Sequence, residues 1–251
     1  MTGLSASLAC HPEMIPASTN PNLYQDRKAA DDAIVQTVAS YAVVFGIVRC
    51  HCLGIPFTRP SVDNTFYENL FIMAGLVDSS TARPDPLLLS VFRLLGSANV
   101  DHGMALCVFS ALVTASSRTD PISCLITAIG ASYGPLHFGA TQSAQRALQE
   151  IGTPDNVPSF LEEVKQGKPK LFGYGHRAYK RMDPRVRLIR GLLHDLNLDP
   201  TKNPLLNITQ RIEQLASQDE YFRRRELYPN ADLYGHFVFS AWYVALPIPM
   251  M

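Results

Sequence analysis

The chain has 251 residues, 47% of them hydrophobic and 18% charged, with 22 lysines and arginines against 22 aspartates and glutamates. That length can bury a sizeable core in one domain or two, and the composition excludes wholesale disorder. The even charge excludes a dedicated nucleic-acid binder, which needs a clustered basic excess.

Residues 1–27 are rich in Ser, Pro, Asn and Thr and read as a flexible N-terminal segment. The first basic residue is Arg27, so this segment lacks the Arg-rich character of a transit peptide, and Pro249-Met250-Met251 carries no peroxisomal address. The apolar runs 42–48 and 104–115 are too short to cross a bilayer, so no membrane partner is expected and the cytoplasm is the default location. Ile34, Val35, Val38, Tyr41, Ala42 and Phe45 recur at helical spacing, and Gly54 and Pro56 end that region. Asn64 or Thr65 caps the next helix, with Phe66, Leu70, Met73 and Ala74 on its apolar side.

Three helices open on Asp followed by Pro, at Asp85, Asp120 and Asp183. Their apolar positions are Leu88, Val91, Phe92 and Leu95; then Ile122, Leu125, Ile126 and Ile129; then Val186, Ile189, Leu193 and Leu196. Between the first two, the apolar stretch 104–115 predicts a helix buried on most sides. After Gly139 a helix runs to Ile151, with Ala140, Ala144, Ala147, Leu148 and Ile151 inside and Gly152 as its stop. Shorter helices are predicted over 159–166, 205–218 and 234–244, and no period-two pattern marks a strand. The fold class is all-α.

Five cysteines, Cys10, Cys50, Cys52, Cys107 and Cys124, are odd in number and irregular in spacing, as suits reduced thiols. Cys50-His51-Cys52 has no second ligand pair at zinc spacing, so no metal site is expected.

Four motifs can carry chemistry. Asn99-Val100-Asp101-His102-Gly103 precedes the apolar helix; alone, it reads as a capping Asp and a surface His. Gly134-Pro135-Leu136-His137-Phe138-Gly139 presents His137 from a turn at a helix N-terminus, which favours a neutral imidazole. In 170–185, Gly173 and Gly175 flank Tyr174 and deliver His176; Arg177, Lys180, Arg181 and Arg185 form a cationic rim suited to phosphate or carboxylate. Asp232, in Tyr228-Pro229-Asn230-Ala231-Asp232, is a helix cap or a general base.

In this order the motifs resemble the citrate synthase family, above all Gly173-Tyr174-Gly175-His176-Arg177-Ala178-Tyr179-Lys180 with Asp183-Pro184-Arg185. The resemblance implies an all-α fold of a large and a smaller domain: large-domain helices over 28–138, small-domain helices over 139–228, and a return to the large domain over 229–251. It implies condensation of an acyl-CoA with oxaloacetate, by a homodimer or a heterodimer with a full-length homologue. By the same resemblance His102 and Arg185 would bind the oxaloacetate carboxylates, and His176 would polarise its ketone. Asp232 would take the acyl α-proton, and His137 would steady the enol. Gly173, Tyr174, Gly175, Arg177 and Lys180 would hold coenzyme A, which is a substrate; the resemblance implies no metal or cofactor.

The chain departs from the common pattern at Phe138 and Thr141, where a glycine and an asparagine are usual, and at Gly235-His236. Phe138 beside His137 points to a specialised branch such as the alkylcitrate synthases of fungal secondary metabolism. Two carboxylate-binding arginines that the family carries further on have no candidate here, so the chain reads as truncated at both ends with an incomplete clamp. Losing two charge-assisted hydrogen bonds, at roughly 1.5–3 kcal/mol each, costs on the order of 10²–10⁴ in affinity. The rival expectation is a non-catalytic helical partner subunit, and a third is a general CoA-binding module.

Overall fold

The computed structural model describes residues 23–100 and 103–244, together with Ala6. Among these residues it is helical, as the sequence predicts, with no named strand and one isolated antiparallel bridge, Tyr174 to Pro229. The chain divides into two compact units that meet in sequence between Tyr133 and Gly134.

The first unit holds α1 (Arg27–Leu53), α2 (Phe66–Met73), α3 (Pro86–Val100), α4 (Leu106–Ala115) and α5 (Pro121–Ser132). Their starts follow the local sequence. Thr65 and Glu68 form a reciprocal capping box for α2. The Asp85 carboxylate accepts from Leu88 N–H and that of Asp120 from Ser123 N–H, each at 2.9 Å. Helix α1 packs on α2 and α5, and α2 packs on α3. Gly46 permits the first contact, because a Cβ there falls 2.8 Å from that of Met73. Phe92 of α3 meets Tyr67 and Phe71 of α2 edge-on, at 5.6 and 5.4 Å.

Three expectations change in this unit. Helix α4 buries no residue, and Leu106, Phe109, Leu112 and Val113 are each more than half exposed. It meets α5 through small polar side chains instead: Ser110 Oγ donates to the Thr127 carbonyl, and the Thr114 and Thr127 hydroxyls lie 3.0 Å apart. In α1 the buried stripe is Ala33, Thr37, Ala42, Val44, Gly46 and Cys50, while Ile34, Val35 and Val38 are exposed. Small residues allow close helix approach, and that outweighs the hydrophobicity of the larger ones. Finally, α1 is long and apolar enough to cross a membrane by length and composition. The uninterrupted run 42–48 understates it, because uncharged Gln36, Thr37 and Ser40 break the run without adding charge. The helix packs on α2 and α5, and 33% of its most apolar window is buried.

The second unit holds α6 (Gly139–Ile151), α7 (Val157–Lys165), α8 (Pro184–Asp195), α9 (Pro204–Gln218), α10 (Glu220–Arg224) and α11 (Ala231–Val244). Gly152 ends α6 with a positive φ of 75°. Helix α11 lies at the centre, packed on α8, α6 and α9, and every residue from Leu233 to Val238 is buried. Around it lie Ala144, Leu148 and Ile151 of α6, Val186, Ile189, Leu192 and Leu193 of α8, and Ile208 and Ile212 of α9.

Candidate active site

Four of the chemical residues named from sequence, His137, His176, Arg185 and Asp232, belong to the second unit, and so does Thr141. Two irregular segments joined at the Tyr174–Pro229 bridge prepare the site. Gly175 N–H donates to the Tyr228 carbonyl at 2.7 Å, and Asn230 N–H donates to the Gly173 carbonyl at 2.9 Å. The Asn230 side-chain amide donates to the Gly175 carbonyl at 2.7 Å. This pairing lays the residues before His176 along the residues before Asp232. Gly173 makes it possible: its φ is 81°, and a Cβ there falls 2.6 Å from Leu233 Cα.

Asp183 then fixes three elements at once. It is fully buried and caps α8, accepting from Arg185 N–H at 3.0 Å. It also takes the Arg185 guanidinium, Nη2 to Oδ2 at 2.7 Å, and Ala231 N–H at the start of α11, at 3.2 Å. Burial pushes the Asp183 carboxyl up, but these bonds and the Arg185 charge outweigh it and hold the group below the usual carboxylate range.

Asp232 sits in the first turn of α11, its N–H donating to Asn230 Oδ1 at 2.9 Å. Its Oδ1 accepts from Thr141 Oγ1 on α6 at 2.8 Å. Burial raises its pKa, against the Thr141 bond and the charges of Arg185 and His176, while Asp183 adds to the rise. A carboxylate with a raised pKa is a stronger base than one in water.

Two imidazoles act on it. Burial lowers the pKa of His137, with Asp232 pulling the other way. His137 is held in a tight turn, N–H to the Gly134 carbonyl at 3.0 Å and carbonyl to Ala140 N–H at 2.9 Å. Its Nε2 is buried without a hydrogen-bond partner among the described residues. Burial also lowers the pKa of His176, helped by Arg185 and opposed by Asp183 and Asp232. Its Nδ1 accepts from Ala178 N–H at 3.1 Å, so the proton of the neutral ring sits on Nε2. The arrangement is one buried base, two neutral imidazoles and one guanidinium, a set suited to proton abstraction next to a carbonyl.

Residues 1–251 match the citrate synthase C-terminal domain. The chain belongs to the citrate synthase family. It is 50% identical over 241 residues to the alkylcitrate synthase phiJ of a fungal species, and 41% identical over 243 residues to the alkylcitrate synthase tstJ of Talaromyces stipitatus. Each match covers 96% of this chain and 53% or 54% of the relative, so the chain spans about half the length of the curated relatives it matches. Citrate synthase from Pyrobaculum aerophilum superposes with a TM-score of 0.76 at 29% identity, over 96% of this chain and 62% of that one.

Of the other residues expected from the family resemblance, His102 lies outside the described residues. Of the coenzyme A loop, Gly173 and Tyr174 face inward: Gly173 is filled by Leu233, and Tyr174 is buried edge-on against Phe222, its hydroxyl donating to the Glu213 carbonyl at 3.3 Å. A Cβ on Gly175 falls 2.7 Å from Leu227. Arg177 and Lys180 are exposed, and Lys180 lies 3.8 Å from Glu226.

Sequence reasoning gave Asp183 only a capping role and Thr141 only the standing of a departure from the family pattern. It missed the partners of Tyr234, whose hydroxyl donates to Glu213 Oε2 at 2.5 Å while Arg190 pairs with the same oxygen. The Asp183-to-Arg185 spacing, two residues across a helix cap, was the available signal for the first. Nothing local marks a contact between residues 91 apart.

Proposed function

We propose that this chain carries the acid–base centre of an enzyme that condenses an acyl-CoA with oxaloacetate, in the manner of an alkylcitrate synthase. The observation that carries the reading is Asp232: a carboxylate of raised pKa that feels neutral His176 and Arg185, and that acts on neutral His137. The names of the relatives phiJ and tstJ support the same chemistry.

In this reading Asp232 takes a proton from the carbon next to the thioester. The charge that builds on the thioester oxygen is met by His137, a neutral hydrogen-bond donor. The nucleophilic carbon forms a bond to the ketone carbon of oxaloacetate, and the ketone oxygen takes a proton from His176 Nε2–H. Water then cleaves the thioester, giving a carboxylate and free coenzyme A. Arg185, already aligned by Asp183, takes an oxaloacetate carboxylate. Arg177 and Lys180 supply exposed positive charge for the phosphates of coenzyme A.

Phe138 lies with its ring 5.0 Å from that of His137 and is exposed, an apolar surface next to the reacting carbonyl. It favours an acyl chain longer than acetyl, as in secondary metabolism. The exposed apolar side of α4 favours assembly as a homodimer.

The test is release of free coenzyme A with oxaloacetate and acyl-CoAs from acetyl to octanoyl, beside a His137→Ala control. Turnover that disappears in the control upholds the reading, and the preferred chain length names the branch. No turnover from a folded, full-length sample overturns it.

A further inference from the structure

We propose that Thr141 is a positioning residue for the reaction: its hydroxyl holds Asp232 Oδ1, assigns proton transfer to Oδ2, and ties the base to the helix whose entry presents His137. This rests on the reading of Asp232 as the base.

The geometry behind it is specific. Thr141 is in the first turn of α6, and His137 lies in the turn that leads into that helix, four residues earlier. A threonine has few χ1 choices in a helix, so its Oγ1 is presented with little freedom. The contact with Asp232 Oδ1, at 2.8 Å, joins residues 91 apart and links α6 directly to the carboxylate. On the other side, the Asp232 backbone is fixed by Asn230 and by Asp183, which accepts from Ala231 N–H. With its backbone fixed and one oxygen taken, the carboxylate has one oxygen left as a base of full strength. A hydroxyl donor also weakens the oxygen it binds as a proton acceptor, so the two oxygens are not equivalent.

The charged and titratable groups that act on Asp232 are His137 from the turn before α6, His176 from the glycine loop, and Asp183 and Arg185 from the start of α8. All four remain in place when the Thr141 hydroxyl is removed, so a change in Asp232 titration reports on that hydroxyl.

The test compares Thr141→Val, which keeps the shape and loses the hydroxyl, with Thr141→Ser, which keeps the hydroxyl, in the full-length protein. In Thr141→Val, kcat is expected to fall roughly tenfold or more, with the KM for oxaloacetate unchanged within about twofold. The acidic limb of the kcat/KM–pH profile is expected to move up by about one unit. Thr141→Ser is expected to stay close to the parent in both. An unmoved profile in Thr141→Val, or equal damage in Thr141→Ser, overturns the inference. A carbon-13 titration of the Asp232 carboxyl in parent and Thr141→Val needs no turnover. If the parent turns nothing over but the titration moves up in the variant, the Thr141–Asp232 coupling stands while the reading of the reaction falls; if the titration does not move, the coupling falls.

Discussion

Helices α4 and α11 look alike in sequence and are opposite in structure. Both are apolar and contain no lysine or arginine. Yet α4 buries none of its residues, while α11 buries an unbroken run from Leu233 to Val238 and carries Asp232 at its start. Hydrophobicity set the need for cover, but neighbours decided who receives it. Helix α11 is enclosed by α6, α8 and α9, whereas α4 meets α5 through serine and threonine and keeps its leucines outside. An apolar helix can thus be the axis of a core or a surface that needs a partner.

The contrast can be attacked first at the chemistry. Asp232→Asn is expected to lower kcat by about 10³-fold, because a general base is worth roughly 10²–10⁴. Stopped-flow or steady-state release of coenzyme A measures it. A variant within tenfold of the parent removes Asp232 from the mechanism and with it the special standing of α11.

Packing comes next. Ile189→Ala, beneath α11 on α8, leaves a cavity and is expected to destabilise by about 2–5 kcal/mol. Leu112→Ala on the exposed side of α4 is expected to change the stability of the chain by no more than about 0.5 kcal/mol. Denaturant unfolding of both at low protein concentration separates them. Equal losses contradict the account of α4 as an uncovered surface.

A further prediction sharpens the cost of the α11 core. His236 is 4% exposed, and both of its ring nitrogens are buried without a hydrogen-bond partner among the described residues. Burial lowers its pKa from 6.5 to about 4. The folded chain therefore holds this ring neutral, while the unfolded chain protonates it near 6.5. The contribution is fully present above pH 6.5 and is lost as pH falls toward 4, by up to about 3 kcal/mol. His236→Leu is expected to flatten that part of the stability–pH curve and to raise stability at pH 5. An unchanged slope between pH 6.5 and 4 in the variant assigns the acid sensitivity elsewhere.

The positions of the helices were legible because their ends are local chemistry. The Asp-Pro starts at Asp85, Asp120 and Asp183 and the stop at Gly152 are each a side chain or glycine acting on its own backbone within a few residues. The motifs around His137, His176 and Asp232 were legible for a similar reason, since each is a short run whose glycines, imidazole or carboxylate already state a chemistry. Facing was not legible. Ile34, Val35 and Val38 share helical spacing with buried residues and still lie outside, because α1 approaches α2 through Gly46 and Cys50.

Sequence alone thus determined the helical class, the helix ends and the residue types available for acid–base work, because these follow from interactions within a turn or two of chain. Tertiary structure alone decided that Thr141 holds Asp232, that Asp183 also reaches Ala231 at the start of α11, and that α4 stays uncovered. Those facts join residues tens of positions apart. They depend on how whole helices approach one another, which no local pattern encodes.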